Sequence, residues 1–200
     1  MMHRRVALAA VSIALSLATG CSTPPPSRFY TLAATATATS ASTSQQSALV
    51  IAVGPVTIPS VVDRPEFVVS TSPNEVRLDD FNRWASPLQD GLSRAVAENL
   101  VTLIGTPRVL GFPQTLATEP DYRVAIEVRT FESTPGKSAL LEAVWTVRRA
   151  KDGKTQTGRT SARETLSESG YDALAAAHSR AVARMSEDIA AALRALQGAP

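Results

Sequence analysis

Little in this 200-residue chain can do chemistry. Its single cysteine, Cys21, rules out an intramolecular disulfide framework. Apart from His3 near the N-terminus, the only imidazole is His178. The sequence has no cluster of His, Cys or carboxylates at metal-ligand spacing, no glycine-rich phosphate loop and no serine in a nucleophile-elbow context. Aromatics make up only 5% of residues. Charge of one sign is also scarce: the formal net charge is +2, and removing Arg4 and Arg5 makes the basic and acidic counts equal. No polybasic stretch is left to hold nucleic acid through counterion release. No run of eighteen apolar residues marks a multi-span membrane protein. These absences exclude a nucleotide hydrolase, a metalloenzyme and a nucleic-acid binder. They predict a scaffold without cofactor, metal or catalytic residues. What is present, 44% hydrophobic and 19% charged residues, is enough for one domain with its own core.

The first twenty residues do not belong to that core. His3, Arg4 and Arg5 precede an apolar run from Val6 to Leu17, interrupted only by Ser12 and Ser16, and Ala18-Thr19-Gly20 leads straight into Cys21. A basic head, a short apolar run and small residues at a cut site describe a secretory signal peptide over residues 1–20. Twelve helical residues rise only about 18 Å, too short for a bilayer core of roughly 30 Å. Cys21 then has two readings. One is an incidental thiol or half of an intermolecular bridge. The other is the lipidated cysteine of a bacterial lipobox, which this segment resembles and which its length and position favour. Ser22 stands where an Asp favours inner-membrane retention, so the expected location is the outer membrane, facing the periplasm.

Residues 21–27 form a lipidated, proline-rich tether, with Pro24-Pro25-Pro26 favouring an extended spacer. A single domain is predicted over 28–198. It opens on a strand-like run, Arg28–Leu32, followed by a low-complexity Ala/Thr/Ser/Gln segment at 33–48 that predicts a flexible excursion. Leu49–Pro59 is a β-branched strand bent at Gly54-Pro55. Phe67–Ser70 and Glu75–Leu78 flank a turn and predict a hairpin. Ser86-Pro87-Leu88-Gln89 predicts a capped helix start. Leu88, Leu92, Ala95, Val96, Asn99, Leu100 and Leu103 then recur at helical spacing up to Gly105. Val109–Phe112 is a short strand. Tyr122, Val124, Ile126 and Val128 alternate with Arg123, Glu127 and Arg129, and Leu141, Ala143, Trp145 and Val147 alternate with Glu142, Thr146 and Arg148. After the turn Lys151-Asp152-Gly153-Lys154, a Thr-rich strand over 155–166 has the polarity of an edge. A long amphipathic helix carries Tyr171, Leu174, His178, Val182, Met185, Ile189, Leu193 and Leu196. The predicted class is α+β: a mainly antiparallel sheet with two principal helices packed on one face.

Several residues carry two readings. His178 lies on an apolar stripe, which favours a core imidazole over a catalytic base. Asp79-Asp80, the adjacent acidic pair, favours local hydrogen bonding over catalysis or calcium. The stripe of the last helix favours covering its own sheet over binding a partner. Trp84 is either an interface anchor or a packing staple.

Taken in order, a set of short motifs spans the chain after Cys21. These are Cys21-Ser22 with prolines and Phe29-Tyr30-Thr31-Leu32; Ile58-Pro59 with Asp63-Arg64-Pro65; Asn74 and Val76 ahead of Arg83-Trp84-Ala85 and Pro87-Leu88; and Ala177-His178-Ser179 through Asp188-Ile189. The set resembles the ABC-type transport auxiliary lipoproteins, the PqiC-like family. The resemblance implies a non-catalytic outer-membrane component of an MCE/ABC-type system that moves lipids or other hydrophobic molecules between membranes and supports envelope integrity. It implies an MCE-domain periplasm-spanning protein and inner-membrane transport subunits as partners, membrane attachment through acyl chains on Cys21, and a ring-like homo-oligomer matching the symmetry of a tunnel's end. It transfers no catalytic residue; Arg64 and Trp84 are structural or partner-docking candidates. Two rival functions are a periplasmic module that binds lipid in its own pocket and a lipoprotein activator of a cell-envelope enzyme.

Overall fold

The computed structural model of the chain describes residues 25–37, 48–111 and 119–198. The signal segment and Cys21 lie outside the described residues, as do 38–47 of the low-complexity segment and Phe112 of the predicted short strand. The described elements are β1 (Arg28–Tyr30), β2 (Ile51–Thr57), β3 (Glu66–Ser72), β4 (Glu75–Trp84), α1 (Leu88–Ile104), β5 (Val109–Gly111), β6 (Tyr122–Thr134), β7 (Ser138–Arg149), β8 (Thr155–Thr165) and α2 (Tyr171–Gly198).

The class is α+β, as expected, and the strands divide between two sheets. Five form the sheet β5-β2-β6-β7-β8, and three form β1-β4-β3. The meander β6-β7-β8 and the hairpin β3-β4 are antiparallel. β2, however, runs parallel to both β5 and β6, and β1 runs parallel to β4. Parallel neighbours need long crossovers. Here the hairpin β3-β4 and α1 together supply the crossover between β2 and β5. Helix α1 packs over β2 and β5, α2 over β8 and β7, and the helices pack against each other.

Three irregularities aim side chains at the core. Strict alternation from Tyr122 would turn Phe131 to solvent. A register shift between Val128 and Thr130 inserts a residue, which returns Phe131 and Ser133 to the buried face. In β2, the shift between Val53 and Val56 falls at Gly54-Pro55, a cis peptide, where the sequence predicts a bend. In β4, the strand does not stop at Leu78 but bulges and runs on to Trp84: Glu66 pairs with Arg83, and its neighbour Phe67 pairs with Asp79. The Asp79 carboxylate closes this bulge by accepting the N–H groups of Phe81 at 3.0 Å and Asn82 at 2.9 Å.

Helix α1 buries every residue of its predicted stripe and ends at Gly105 in the left-handed conformation, φ 74°. Its start departs from expectation. Ser86 makes no capping bond; the helix begins after Pro87, whose carbonyl accepts the N–H groups of Asp90 and Gly91. The stripe of α2 is spent on the core, with Leu174, Val182, Met185, Ile189 and Leu193 fully buried. On the sheet's opposite face, Glu142 gathers Thr130, Arg159 and Ser161, and the hydrogen bond from Thr130 leads in holding its pKa below the usual carboxylate range.

Trp145 and Gly158 show how tightly the edge strand is fitted. They face each other across β7 and β8, and a Cβ added at Gly158 would lie 2.3 Å from the Trp145 ring. The ring is fixed: its Nε1–H donates to Thr160 Oγ1 at 3.0 Å, and Thr160 donates to Asp188 on α2 at 2.6 Å. Gly158→Ala is expected to cost about 1–3 kcal/mol through overpacking. In the Trp145→Phe background the same change is expected to cost less, a coupling that a double-mutant cycle of denaturant midpoints measures.

Candidate functional site

The chain is stitched into the fold from Arg28 onward. β1 pairs with the end of β4 over Arg28–Asn82, Phe29–Arg83 and Tyr30–Trp84. Tyr30 donates its hydroxyl to Asn82 Oδ1 at 2.8 Å, and the Tyr30 carbonyl accepts the Ala85 N–H at 2.9 Å. Leu32 is buried in the core. Residues 33–37 then run over the two helices. The Ala33 N–H donates to Ser179 Oγ at 3.1 Å, and the Ala36 N–H donates to Asn99 Oδ1 at 2.9 Å. Asn99 is itself held by its side-chain N–H, which donates to Ser186 Oγ at 3.2 Å. The expectation of a flexible excursion from residue 33 is therefore corrected for 33–37. Small side chains let the backbone come close, and buried helix side chains accept its N–H groups. Residues 38–47 lie outside the described residues.

A polar latch closes the same corner. Tyr171, at the start of α2, donates to Asp79 Oδ2 at 2.6 Å. Asp79 Oδ1 accepts the Asn82 side-chain amide at 2.9 Å. Burial pushes the Asp79 pKa up, but hydrogen bonds from Tyr171, Asn82 and Phe81 outweigh it, and the net direction is below the usual carboxylate range. Burial, then the bond to Asp79, pushes Tyr171 up to about 12. The Asp79 contribution is present above the ordinary aspartate pKa and lost as pH falls below it. The Tyr171 contribution is complete below the ordinary tyrosine pKa near 10 and is lost as pH rises toward 12. The latch is thus closed across the neutral range. Tyr171→Phe is expected to cost about 1–2 kcal/mol, the net worth of one partly exposed bond to a carboxylate. It is also expected to speed amide exchange at Ala33 and Ala36 and to remove the alkaline limb of the stability profile. Hydrogen exchange and pH-dependent unfolding read both.

The residues singled out from sequence have different places. Cys21 is outside the described residues. Trp84 is buried, with its ring stacked on Phe67 at 4.4 Å between centroids and edge-on to Phe131 at 6.1 Å, so that ring packs the interior. Arg64 is half-buried in the turn before β3. Its backbone N–H donates to the Val62 carbonyl at 2.9 Å, while its Nε is buried without a hydrogen-bond partner. The next residue, Pro65, offers its carbonyl to the Trp84 N–H at 2.8 Å, so the Arg64 turn and Trp84 are joined through backbone. His178 lies 3.8 Å from Phe131, ring on ring, with Nε2 at 2.8 Å from Ser133 Oγ. Burial alone drives its pKa down to about 3, so the ring is uncharged at neutral pH. Among the described residues no carboxylate bonds to the ring, whose Nδ1 is buried without a hydrogen-bond partner; this is a core imidazole. Asp79 serves the latch, whereas Asp80 is exposed.

Sequence inspection missed Arg149. On the alternation of β7 it falls among core residues, and it is buried there. Its guanidinium pairs with Asp152 at 2.6 Å and donates to the Leu196 carbonyl at 2.6 Å, tying the β7–β8 turn to the end of α2. A basic residue at a core position, followed three residues later by Asp in a tight turn, was the available signal.

Among the described residues, no group of three or more His, Cys, Asp or Glu could hold a metal ion, and no helix is long and apolar enough to cross a membrane. The space between sheet and helices is filled by side chains such as Leu92, Leu100, Val124, Leu141 and Met185.

The fold has solved counterparts. A crystal structure of a protein from Xanthomonas campestris is similar with a TM-score of 0.69 at 20% identity, covering 86% of this chain and 98% of that one. A second, of an uncharacterized protein, is similar with a TM-score of 0.67 at 19% identity, covering 84% and 99%. At these identities the likeness shows the shared fold. A search of the curated proteins finds no match. Residues 30–190 match the family described as the ABC-type transport auxiliary lipoprotein component, a match that begins at Tyr30 of the stitched strand and ends inside α2. This chain belongs to that family of transport auxiliary lipoproteins.

Proposed function

We propose that this lipoprotein is the outer-membrane, non-catalytic auxiliary of an MCE/ABC-type intermembrane transport system, anchored by acyl chains on Cys21 and facing the periplasm. The observation that carries this reading is the family match over 30–190. Three further features support it. Cys21 stands directly after a signal-like segment, with Ser22 beside it. The chain is held firmly from Arg28, so a tether of only a few residues separates the acyl chains from a rigid body. The packed side chains between the five-stranded sheet and the helices favour a docking scaffold over a carrier that holds lipid between those layers. The mechanism is geometric: acyl chains set the location, the proline-rich tether sets the height, and the folded surface receives the end of an MCE-domain protein. A cyclic homo-oligomer would match the rotational symmetry of such an end.

The test is recovery of partners from detergent-solubilised membranes with tagged full-length protein. Co-purification of an MCE-domain protein and inner-membrane transport subunits is the expected result. Recovery of a cell-wall synthase in their place would overturn the reading in favour of an enzyme activator.

A further inference from the structure

We propose that the end of the five-stranded sheet farthest from where residues 25–28 enter the fold is a basic docking rim, and that it receives an acidic surface of the protein partner. The inference rests on the transport-auxiliary reading and adds the contact surface to it. The rim is continuous across four strands. The Ile51 N–H donates to the Arg108 carbonyl at 3.0 Å, the Asp121 N–H to the Val50 carbonyl at 2.8 Å, and the Ala150 N–H to the Asp121 carbonyl at 2.8 Å. These bonds join the ends of β5, β2, β6 and β7 in one row. Arg108, Arg123, Arg148, Lys151 and Lys154 stand exposed on this row, beside it or in the β7–β8 turn.

Charge is segregated at this end. With the buried Arg149, the rim and its turn hold six basic residues against three acidic ones, Glu119, Asp121 and Asp152. Elsewhere after Arg5 the balance is reversed, twelve basic against fifteen acidic. The carboxylates of the rim are already engaged. Asp152 pairs with Arg149 at 2.6 Å, Asp121 Oδ2 accepts the Val50 N–H at 2.8 Å, and Glu119 reaches Arg123 at 3.6 Å. Among the described residues no carboxylate lies within ion-pair distance of Arg108, Arg148 or Lys151. Arg123 and Arg148 also stand directly opposite each other on β6 and β7. They share the solvent side of the sheet, because the adjoining pair, Tyr122 and Arg149, is buried. Like charges so placed oppose folding. A carboxylate brought by a partner would turn that repulsion into attraction for both guanidinium groups.

Position and composition favour a protein over a lipid surface. Helix α2 spans the distance between the two ends. At its start Tyr171 lines a recess with Pro25 and Pro26, and near its finish the Leu196 carbonyl accepts the Arg149 guanidinium at 2.6 Å. At 1.5 Å per residue these points lie about 38 Å apart. The rim is therefore remote from the point where the chain enters the fold. A surface that sits in a bilayer also carries apolar side chains among its cations. Of the six large apolar residues exposed among the described residues, none is on β6, on β7 or in the turn between β7 and β8. Exposed cations without apolar anchors steer an oppositely charged protein and fix its orientation.

The experiment recovers tagged full-length protein from membranes and measures the MCE-domain protein that comes with it. Wild type is compared with the rim variant Arg148→Glu/Lys151→Glu and with Arg94→Glu/Arg129→Glu, which changes net charge equally at two exposed positions elsewhere. The expected result is full recovery with the second variant and a loss of about tenfold or more with the rim variant. Wild-type recovery is expected to fall as salt is raised. The unfolding midpoint of the rim variant is expected to be no lower than that of wild type, since the change sets opposite charges across from each other at 123 and 148. Arg148→Lys/Lys151→Arg, which keeps the charge, is expected to recover the partner as wild type does; loss with this variant too would overturn a contact made through charge. Equal recovery by wild type and both reversal variants would overturn the rim and leave the transport reading standing. Absence of an MCE-domain protein from the wild-type sample would overturn both. Phosphatidylethanolamine vesicles bearing the protein are also mixed with protein-free vesicles containing phosphatidylglycerol. Bridging of the two by wild type but not by the rim variant would overturn protein docking in favour of anionic lipid. A smaller subunit number for the rim variant by light scattering would overturn it in favour of contact between copies of the chain.

Discussion

Replacing Cys21 with Ala is expected to move the protein from the membrane to the soluble fraction almost completely, while its thermal unfolding stays unchanged. Each buried methylene of an acyl chain contributes about 0.8 kcal/mol, so two or three chains hold a protein durably where one is marginal. Among the described residues no helix can replace that anchorage by crossing the bilayer. The folded body is expected to lose nothing, because among the described residues the first strand pairing begins at Arg28. Fractionation after an alkaline wash checks the first part and a melting curve the second; a variant that still pellets quantitatively would contradict the lipid anchor.

The second large effect is acid sensitivity centred on His178. The ring is fully buried against Phe131, and burial lowers its pKa to about 3. An imidazole in the unfolded chain titrates near 6.5. Between these values the unfolded state binds a proton that the folded state refuses. Stability from this residue is therefore complete above pH 6.5 and is lost as pH falls toward the folded value, at up to about 1.4 kcal/mol per pH unit. Between pH 6 and pH 4 the loss is about 2.5 kcal/mol. Most of the Asp79 loss begins lower, so the two contributions separate on the pH axis. His178→Leu removes the titrating group and is expected to flatten the curve between pH 4 and 6. It also costs stability at neutral pH, since Ser133 loses its partner on Nε2. Denaturant midpoints across pH read both effects. An unchanged acid slope in the variant would show that the proton goes elsewhere.

These expectations draw on different levels of the molecule. Helical spacing in the sequence marked α1 and α2 and their buried stripes, because a 3.6-residue period is local information that a solvent-facing helix must display. The same held for the faces of β7 and for the alternation of β6 as far as Val128. Beyond that point the bulge that returns Phe131 to His178 left no trace in the pattern, since a bulge depends on what the partner strand allows. Ser86 offered a cap that the backbone at Pro87 did not use. Ala33–Thr37 read as low complexity because its bonds go to Ser179 and Asn99, residues far along the chain. Trp84 could be read as anchor or staple until Phe67 and Phe131 were found on either side of it.

By itself, then, the amino-acid order determined the helices, the polarity of the strand faces, the apolar N-terminal run and the lone thiol, and the poverty of reactive groups. All of these follow from neighbours within a turn or two of chain. Tertiary structure alone decided that the strands form two sheets, that β2 runs parallel to its partners, that Asp79 and Tyr171 lock the corner where β1 meets β4, and that Phe29 is left facing outward. Such choices are set by contacts between distant segments, where packing and hydrogen-bond satisfaction select one pairing from many that local preference permits equally.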